Sequence, residues 1–196
     1  MGKKKYYRTP LNDVNWLKRL FAYVLDYYFG LLICSLPIVL ANGILNHSDK
    51  MQTNLYLFEN QPVALYIVAA FSFLLGYVYY IHIPLRIWNG QTVAKKLFHF
   101  KIVKDNGDPV DLKTLVLRHF LGMMLIEGAV LCCTSILAQL LSFTFAINFI
   151  DSWLHVGMVV TIISGVWMLL NNQHKMFHDY IAKTIVTSDS YGKDFI

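Results

Sequence analysis

The sequence predicts an all-α membrane protein: four transmembrane helices, a short interfacial helix and a small two-stranded cytoplasmic β element. Three observations carry this. Hydrophobic residues make up 56% of the 196-residue chain and charged residues only 15%, where soluble domains average about 25% charged. The charge-free stretches are long enough for helices at 1.5 Å per residue to cross a hydrocarbon layer of ~30 Å. The Lys and Arg residues gather between those stretches on the side that one simple topology requires.

Residues 1–15 form a basic N-terminal segment, in which Pro10 followed by Asn12 and Asp13 predicts a turn and a helix N-cap. Trp16 stands where an interfacial aromatic anchors a membrane helix. The first helix is placed near 18–45. It opens on Lys18 and Arg19, carries Asp26 seven residues after Arg19, and is uncharged for the twenty residues Tyr27 to Asn46. Pro37 is expected to bend it. Its apolar run is longer than a signal-peptide core, so it is expected to stay in the mature chain. Tyr6 stands where a myristoylation motif needs Ser or Thr.

Residues 47–61 read as a polar loop. Asn46-His47-Ser48 has the form of a glycosylation triplet but abuts the membrane, and coincidence is the better reading. A second helix near 63–83 is closed by Pro84 and Arg86, with Tyr77, Tyr79 and Tyr80 as an interfacial belt. Residues 85–118 form a basic loop, in which Gln91 to Phe98 suits a short helix lying at the membrane surface. Phe98 to Val103 alternates apolar with polar residues and leads into the turn Asp105-Asn106-Gly107-Asp108, predicting a strand at Lys101 to Lys104.

From His119 to Gln173 only Glu127 and Asp151 are charged. This stretch holds a third helix near 119–143 and a fourth near 153–171, with Asp151 and Ser152 capping the fourth. A second strand is expected at Lys183 to Thr187, ahead of a tail at 189–196. Four crossings put both termini and the middle loop on one side. Sixteen of the seventeen Lys and Arg residues then fall on that side and only Lys50 opposite. The positive-inside rule makes it the cytoplasm of a multi-pass protein of the plasma membrane. The two strands share that side and are expected to pair, supported by the helix ends.

The net charge of +5 is dispersed around apolar runs rather than gathered on a soluble module, which excludes a nucleic-acid binder. Cys34, Cys132 and Cys133 all lie within apolar runs. Their odd count argues against a disulfide framework, and they read as small packing residues. No phosphate-cradling glycine loop and no nucleophile in a triad context is evident, so neither an enzyme nor a cofactor is expected.

Arg19 and Asp26 and the segments WNGQTVAKKLFHFKIVKDNGDPVDLKTLVLRHF and HDYIAKTIV resemble the RDD family, named for one arginine and two aspartates. The middle segment is similar to its W-x-G-x-T-x-G-K-K-L…V-x-D-x-x-G-x-P…R stretch. The last is similar to its closing H-D-x-x-A-G-T-x-V, which places the second aspartate at Asp179. Ala94 and Lys183 stand where that family has glycine. The resemblance implies a multi-spanning membrane protein, with transport, cation/proton antiport or scaffolding as the activities suggested for its members.

Seven residues put Arg19 and Asp26 on one helix face, about 10 Å apart in depth. Glu127 follows Arg118 by nine residues, about 13 Å, so the two acids lie at similar depth. An intramembrane carboxylate marks a functional site or a buried pair. Arg19, Asp26, Glu127, Arg118 and Asp179 are therefore the candidate ion-coupling or structural polar network, and Asp26→Asn is expected to leave the protein in the membrane without ion-linked activity. Lys95 and Lys96, beside Phe98 and Phe100, suit anionic lipid head groups, or form a solvated basic face that enforces topology. His174 and His178 have a spacing that suits metal ligands, but no third firm ligand accompanies them and no metal is expected. The leading expectation is a transporter or cation/proton exchanger working as a homo-oligomer. The alternative is a non-catalytic scaffold or protective partner of another membrane protein or peptide.

Overall fold

In the computed structural model, which describes residues 14–128 and 132–190, helix α1 runs Trp16–Leu45 without interruption through Pro37. Asn15 caps it, its side chain accepting from the Leu17 amide at 2.9 Å. The turn and cap expected at Pro10, Asn12 and Asp13 lie outside the described residues. The buried stripe of α1 is Arg19, Ala22, Asp26, Gly30, Cys34 and Ile38, while Phe21, Tyr28, Leu32, Leu40 and Ile44 are exposed. A water-soluble helix has the reverse pattern. Here small and polar residues face protein and large apolar ones are left for lipid.

The second helix overruns its expected end. Helix α2 (Pro62–Tyr77) continues as π-helical turns over Val78–Ile87, so Pro84 lies inside it. At its end the Ile83 carbonyl accepts from the Trp88 amide at 3.0 Å, and beyond it the Pro84 carbonyl accepts from the Gly90 amide at 2.6 Å. Tyr79 and Tyr80 are buried and only Tyr77 is exposed, so these residues are no interfacial belt. The two buried hydroxyls both donate to Asp26, which explains why they turn inward.

The basic loop is correspondingly shorter than 85–118. It holds α3 (Val93–Leu97) and β1 (Phe100–Lys104) before α4 (Leu112–Val116). Strand β1 pairs antiparallel with β2 (Thr184–Ser188), Lys101 opposite Thr187 and Val103 opposite Ile185. Phe100 and Val186 pack on Ala22 of α1 and Ala94 of α3, which supplies the support a lone strand pair needs. Lys183, expected as the first residue of the second strand, instead ends α7 (Phe177–Ala182) in the left-handed conformation, φ 51° and ψ 55°. A side chain is costly there and glycine is not. Lys183→Gly is therefore expected to stabilise the protein by about 0.5–1 kcal/mol, read as a higher unfolding temperature in detergent.

The third crossing is not the continuous helix expected at 119–143. Helix α4 continues as π-helical turns over Leu117–Glu127, and α5 (Cys132–Phe145) departs from it at 62°. At the break Gly128 has φ 64°, and a Cβ there would lie 2.9 Å from the Gly157 Cα. Helix α6 spans Ile150–Leu170. Asp151 and Ser152 lie in its first turn rather than capping it, and the cap residue Phe149 has its amide satisfied by the Ser142 hydroxyl at 2.9 Å.

Among the described residues three helices are long and apolar enough to cross a membrane: α1, α2 with its π-helical extension, and α6. The bent α4–α5 pair makes a fourth if it is one broken span. The interior between them is built from Cys34, Ile38, Phe58, Leu65, Tyr79 and Ile136. The cysteines are free thiols, Cys34 and Cys133 with their sulfurs 3.5 Å apart, and they serve as packing residues.

Candidate functional site

The charged residues expected from the sequence meet at one end of the bundle, but with other partners. Asp26 is buried on α1 and accepts from four donors. These are the Tyr79 hydroxyl at 2.8 Å, the Thr92 hydroxyl at 2.5 Å, the Ala94 amide at 3.3 Å and the Lys95 ammonium at 2.5 Å. Thus Asp26 ties α1 to the π-helical turns after α2 and to the start of α3. Gly30 makes room for this: a Cβ there would collide with the Tyr80 hydroxyl, which donates to the Asp26 carbonyl at 3.1 Å.

Arg19 shares the buried face of α1 with Asp26 yet does not pair with it. Its guanidinium donates to the His174 carbonyl at 2.6 Å and lies 3.5 Å from Asp179. Two helical turns separate the α1 residues by about 10 Å, and each finds its partner in a different element, Asp26 in α3 and Arg19 in α7. Lys95, expected at lipid head groups, is an ion-pair partner with its side chain only 13% exposed. Lys96 lies over the Trp88 ring at 4.3 Å.

Asp179 sits in the first turn of α7, fully buried. It accepts from the Met176 amide at 3.0 Å and the Thr184 hydroxyl at 3.2 Å, and it pairs with both Arg118 and Arg19. Burial raises its pKa, but Arg118, His178 and Arg19 together outweigh that and hold the carboxyl well below the usual carboxylate range.

Glu127, at the break after the π-helical turns, is wholly buried. It accepts from the Ser164 hydroxyl at 2.8 Å, the His178 amide at 3.3 Å and His178 Nδ1 at 2.8 Å. On the other edge of that imidazole, Nε2 lies 3.0 Å from Arg118 Nη2. A guanidinium has only protons to offer. Nε2 therefore accepts, and the ring proton sits on Nδ1, donated to Glu127. Glu127, His178, Arg118, Asp179 and Arg19 form one chain of contacts across α4, α7 and α1. Gly122 permits the approach of α7, since a Cβ there would lie 2.6 Å from the His178 Cβ. Gly122→Ala is expected to cost about 1–3 kcal/mol by forcing α7 outward, measured by thermal unfolding in detergent.

A cavity of about 200 Å³ lies against this network, with Arg19, Tyr23, Lys95, Arg118, His119 and His178 among its lining residues. A smaller pocket of about 20 Å³ shares Tyr23, Lys95, His119 and Met123 with it and reaches Asp26. The Tyr23 hydroxyl, Arg118 Nε and both His119 ring nitrogens are buried with no hydrogen-bond partner among the described residues. His174 does not join His178: its Nδ1 faces the Met168 carbonyl at 3.0 Å. Among the described residues no group of three or more His, Cys, Asp and Glu side chains is placed to hold a metal ion.

Arg19 and Asp179 thus share one buried ion-pair cluster and Asp26 holds another with Lys95, and the RDD family profile matches residues 14–183. The chain belongs to the RDD family. No curated protein and no solved structure matches it. In this RDD protein the arginine and second aspartate of the family's name are partners, and the first aspartate is partnered by Lys95. The glycine that the family has at 183 is explained by the left-handed backbone there. At 94 the backbone is not left-handed, and alanine fits, fully buried, with its amide still on Asp26. Helical spacing does not mark His119, Tyr79, Thr92 or Ser164 as members of the site. A lone polar residue on an apolar helix was the available signal for His119 and Ser164.

Proposed function

We propose that this RDD protein is a proton-linked membrane transporter in which Glu127 and His178 are the proton-handling pair. The observation that carries this is the His178 imidazole, held between an acid and an arginine and lining a cavity between α1 and α6, two helices long and apolar enough to cross a membrane. A proton arriving at Nε2 sets two donors against each other. Arg118 Nη2 must then leave the ring and turn toward the cavity that both residues line, while Nη1 stays on Asp179 and Thr184. Binding one proton thereby moves one buried cation, which is the differential interaction that coupling requires. The break beside Glu127 supports the same reading, because interrupted membrane helices frame the sites of many transporters.

Asp26 and Asp179 suit this work less. Each is in a direct ion pair with Lys95 or with arginines, which a proton or cation would have to break, whereas Glu127 meets only hydroxyl, amide and imidazole donors. The same fact favours the second reading, a non-catalytic scaffold or protective partner for another membrane protein or peptide, in which sealed ion pairs serve stability alone.

The transport reading includes four crossings, with α4 and α5 as one broken span and α3 at the interface. It places both termini in the cytoplasm of a plasma-membrane protein, supported by the distribution of Lys and Arg. A homo-oligomer is part of it, because four helices leave little room for a pathway within one chain. Cysteine placed at Lys50 in intact cells is expected to react with an impermeant thiol reagent, and cysteine at Lys104 is not. Activity is tested with purified protein in vesicles containing a pH-sensitive dye, under imposed gradients of sodium, potassium or chloride. Proton movement above that of empty vesicles is expected. Silence under every gradient rejects transport and leaves the scaffold reading.

A further inference from the structure

We propose that the 200 Å³ cavity between α1 and α6 is a binding site for the oxyanion head group, carboxylate or phosphate, of an anionic amphiphile. The first ground is the sign of its wall. The titratable and charged groups facing it are Arg19, Tyr23, Lys95, Arg118, His119 and His178, and no carboxylate among the described residues lines it. Asp26 borders only the smaller pocket, and Glu127 and Asp179 lie behind His178 and the arginines. A cation entering here meets like charge, whereas an anion meets donors already in place.

The second ground is that several polar atoms of this wall lack partners, the neutral imidazole of His119 offering one of its two nitrogens as a donor. Arg118 Nε, the Tyr23 hydroxyl and both nitrogens of His119, itself 3% exposed, are unsatisfied among the described residues. Buried polar groups are nearly always hydrogen-bonded, and several orphans on one cavity point to a missing occupant. Charge-assisted bonds from guanidinium to oxyanion are the strong kind.

The third ground is shape. The remaining wall is apolar, with Leu20, Met123, Met168 and Val186. The volume equals roughly seven waters at ~30 Å³ each, which suits a head group with its first carbons and falls below the ~300 Å³ of drug-sized sites. Helix α6 packs on α5 and on the π-helical turns after α4. Beside α1 the cavity wall includes Leu20, 45% exposed, and the half-buried Gly165. A tail leaving through that seam continues into the lipid, among the exposed Ile162 and Val166. The site stands whether or not the chain moves ions.

Gly165 supplies a clean test, because a Cβ added there meets nothing within 4 Å. Gly165→Phe projects a ring from the α6 wall into the cavity, starting from a Cβ that displaces nothing, and its unliganded unfolding temperature, measured beside the parent's, shows that the fold is kept. Purified protein in neutral detergent is titrated with oleate and phosphatidylglycerol, with oleyl alcohol and diacylglycerol as uncharged counterparts, and with inorganic phosphate and acetate as tail-free anions. Thermal unfolding and native mass spectrometry report binding. The expected result is stabilisation and bound adducts with the charged amphiphiles only, about tenfold weaker in His119→Gln and lost in Gly165→Phe. Binding of phosphate or acetate with the same variant dependence also upholds the oxyanion site but assigns it to a free ion. Equal binding of charged and uncharged amphiphiles, binding indifferent to both variants, or no binding by any of these anions overturns it.

Discussion

Asp179→Asn is expected to lower the stability of the detergent-solubilised protein by about 3–5 kcal/mol, the cost of leaving buried charge unmatched. Asparagine still accepts from the Met176 amide, so the first turn of α7 keeps its cap. What it cannot do is balance Arg118 and Arg19, residues only 4% and 9% exposed. Asp151→Asn, at an exposed acid in the first turn of α6, serves as the control and is expected within about 0.5 kcal/mol of the parent.

The pH dependence has a definite sign. Because the folded carboxyl of Asp179 is held below its unfolded value, its contribution is complete above the ordinary carboxylate range. It fades as pH falls below about 4, where the unfolded chain takes up protons first. Unfolding temperatures measured from pH 7 down to pH 3 should therefore fall less steeply for Asp179→Asn than for the parent. Equal slopes would show that the ion pairs with Arg118 and Arg19 contribute nothing to stability.

Glu127→Gln is the second large effect, on activity rather than on stability. The amide oxygen still accepts from Ser164 and from the His178 amide, so α4, α6 and α7 remain joined. The charge that holds the proton on Nδ1 of His178 is gone, and proton flux in vesicles is expected to fall at least tenfold. Asp26→Asn should behave in the opposite way. It strands Lys95, whose ammonium lies 2.5 Å from the acid, and lowers stability, while protein that folds retains flux. Were Asp26→Asn silent and Glu127→Gln active, coupling would belong to α1, as the spacing of Arg19 and Asp26 suggested.

Much of the architecture was legible. Runs of uncharged residues located α1, α2 and α6 to within a few residues, since crossing lipid constrains composition directly. The alternation before Asp105 located β1, and the turn residues Asn106 and Gly107 located its end. The errors came where a local rule met a tertiary contact. Pro84, locally a stop, lies inside a π-helical turn. Tyr79 and Tyr80, locally interfacial, are drawn inward by Asp26. Glu127, expected inside an unbroken helix, stands at a helix end where Gly128 approaches Gly157.

The five residues of the candidate network were all identifiable as costly in lipid, and all five are buried. Their pairing was not identifiable. Helical spacing fixes a residue's face and depth on its own helix, but a salt bridge also needs the position of a second segment. Arg19 meets His174 across 155 residues of sequence, and Lys95 meets Asp26 across 69.

By itself, then, the residue pattern determined a helical membrane protein of the RDD family, where its acids lie, and which segments carry its basic charge. Such properties follow from composition and period, which each stretch of chain possesses alone. The tertiary structure alone decided that Lys95 serves Asp26, that His178 links Glu127 to Arg118, and that cations rather than carboxylates face the cavity. Those outcomes depend on how distant segments close on one another, and hydrogen bonds act only over about 3 Å.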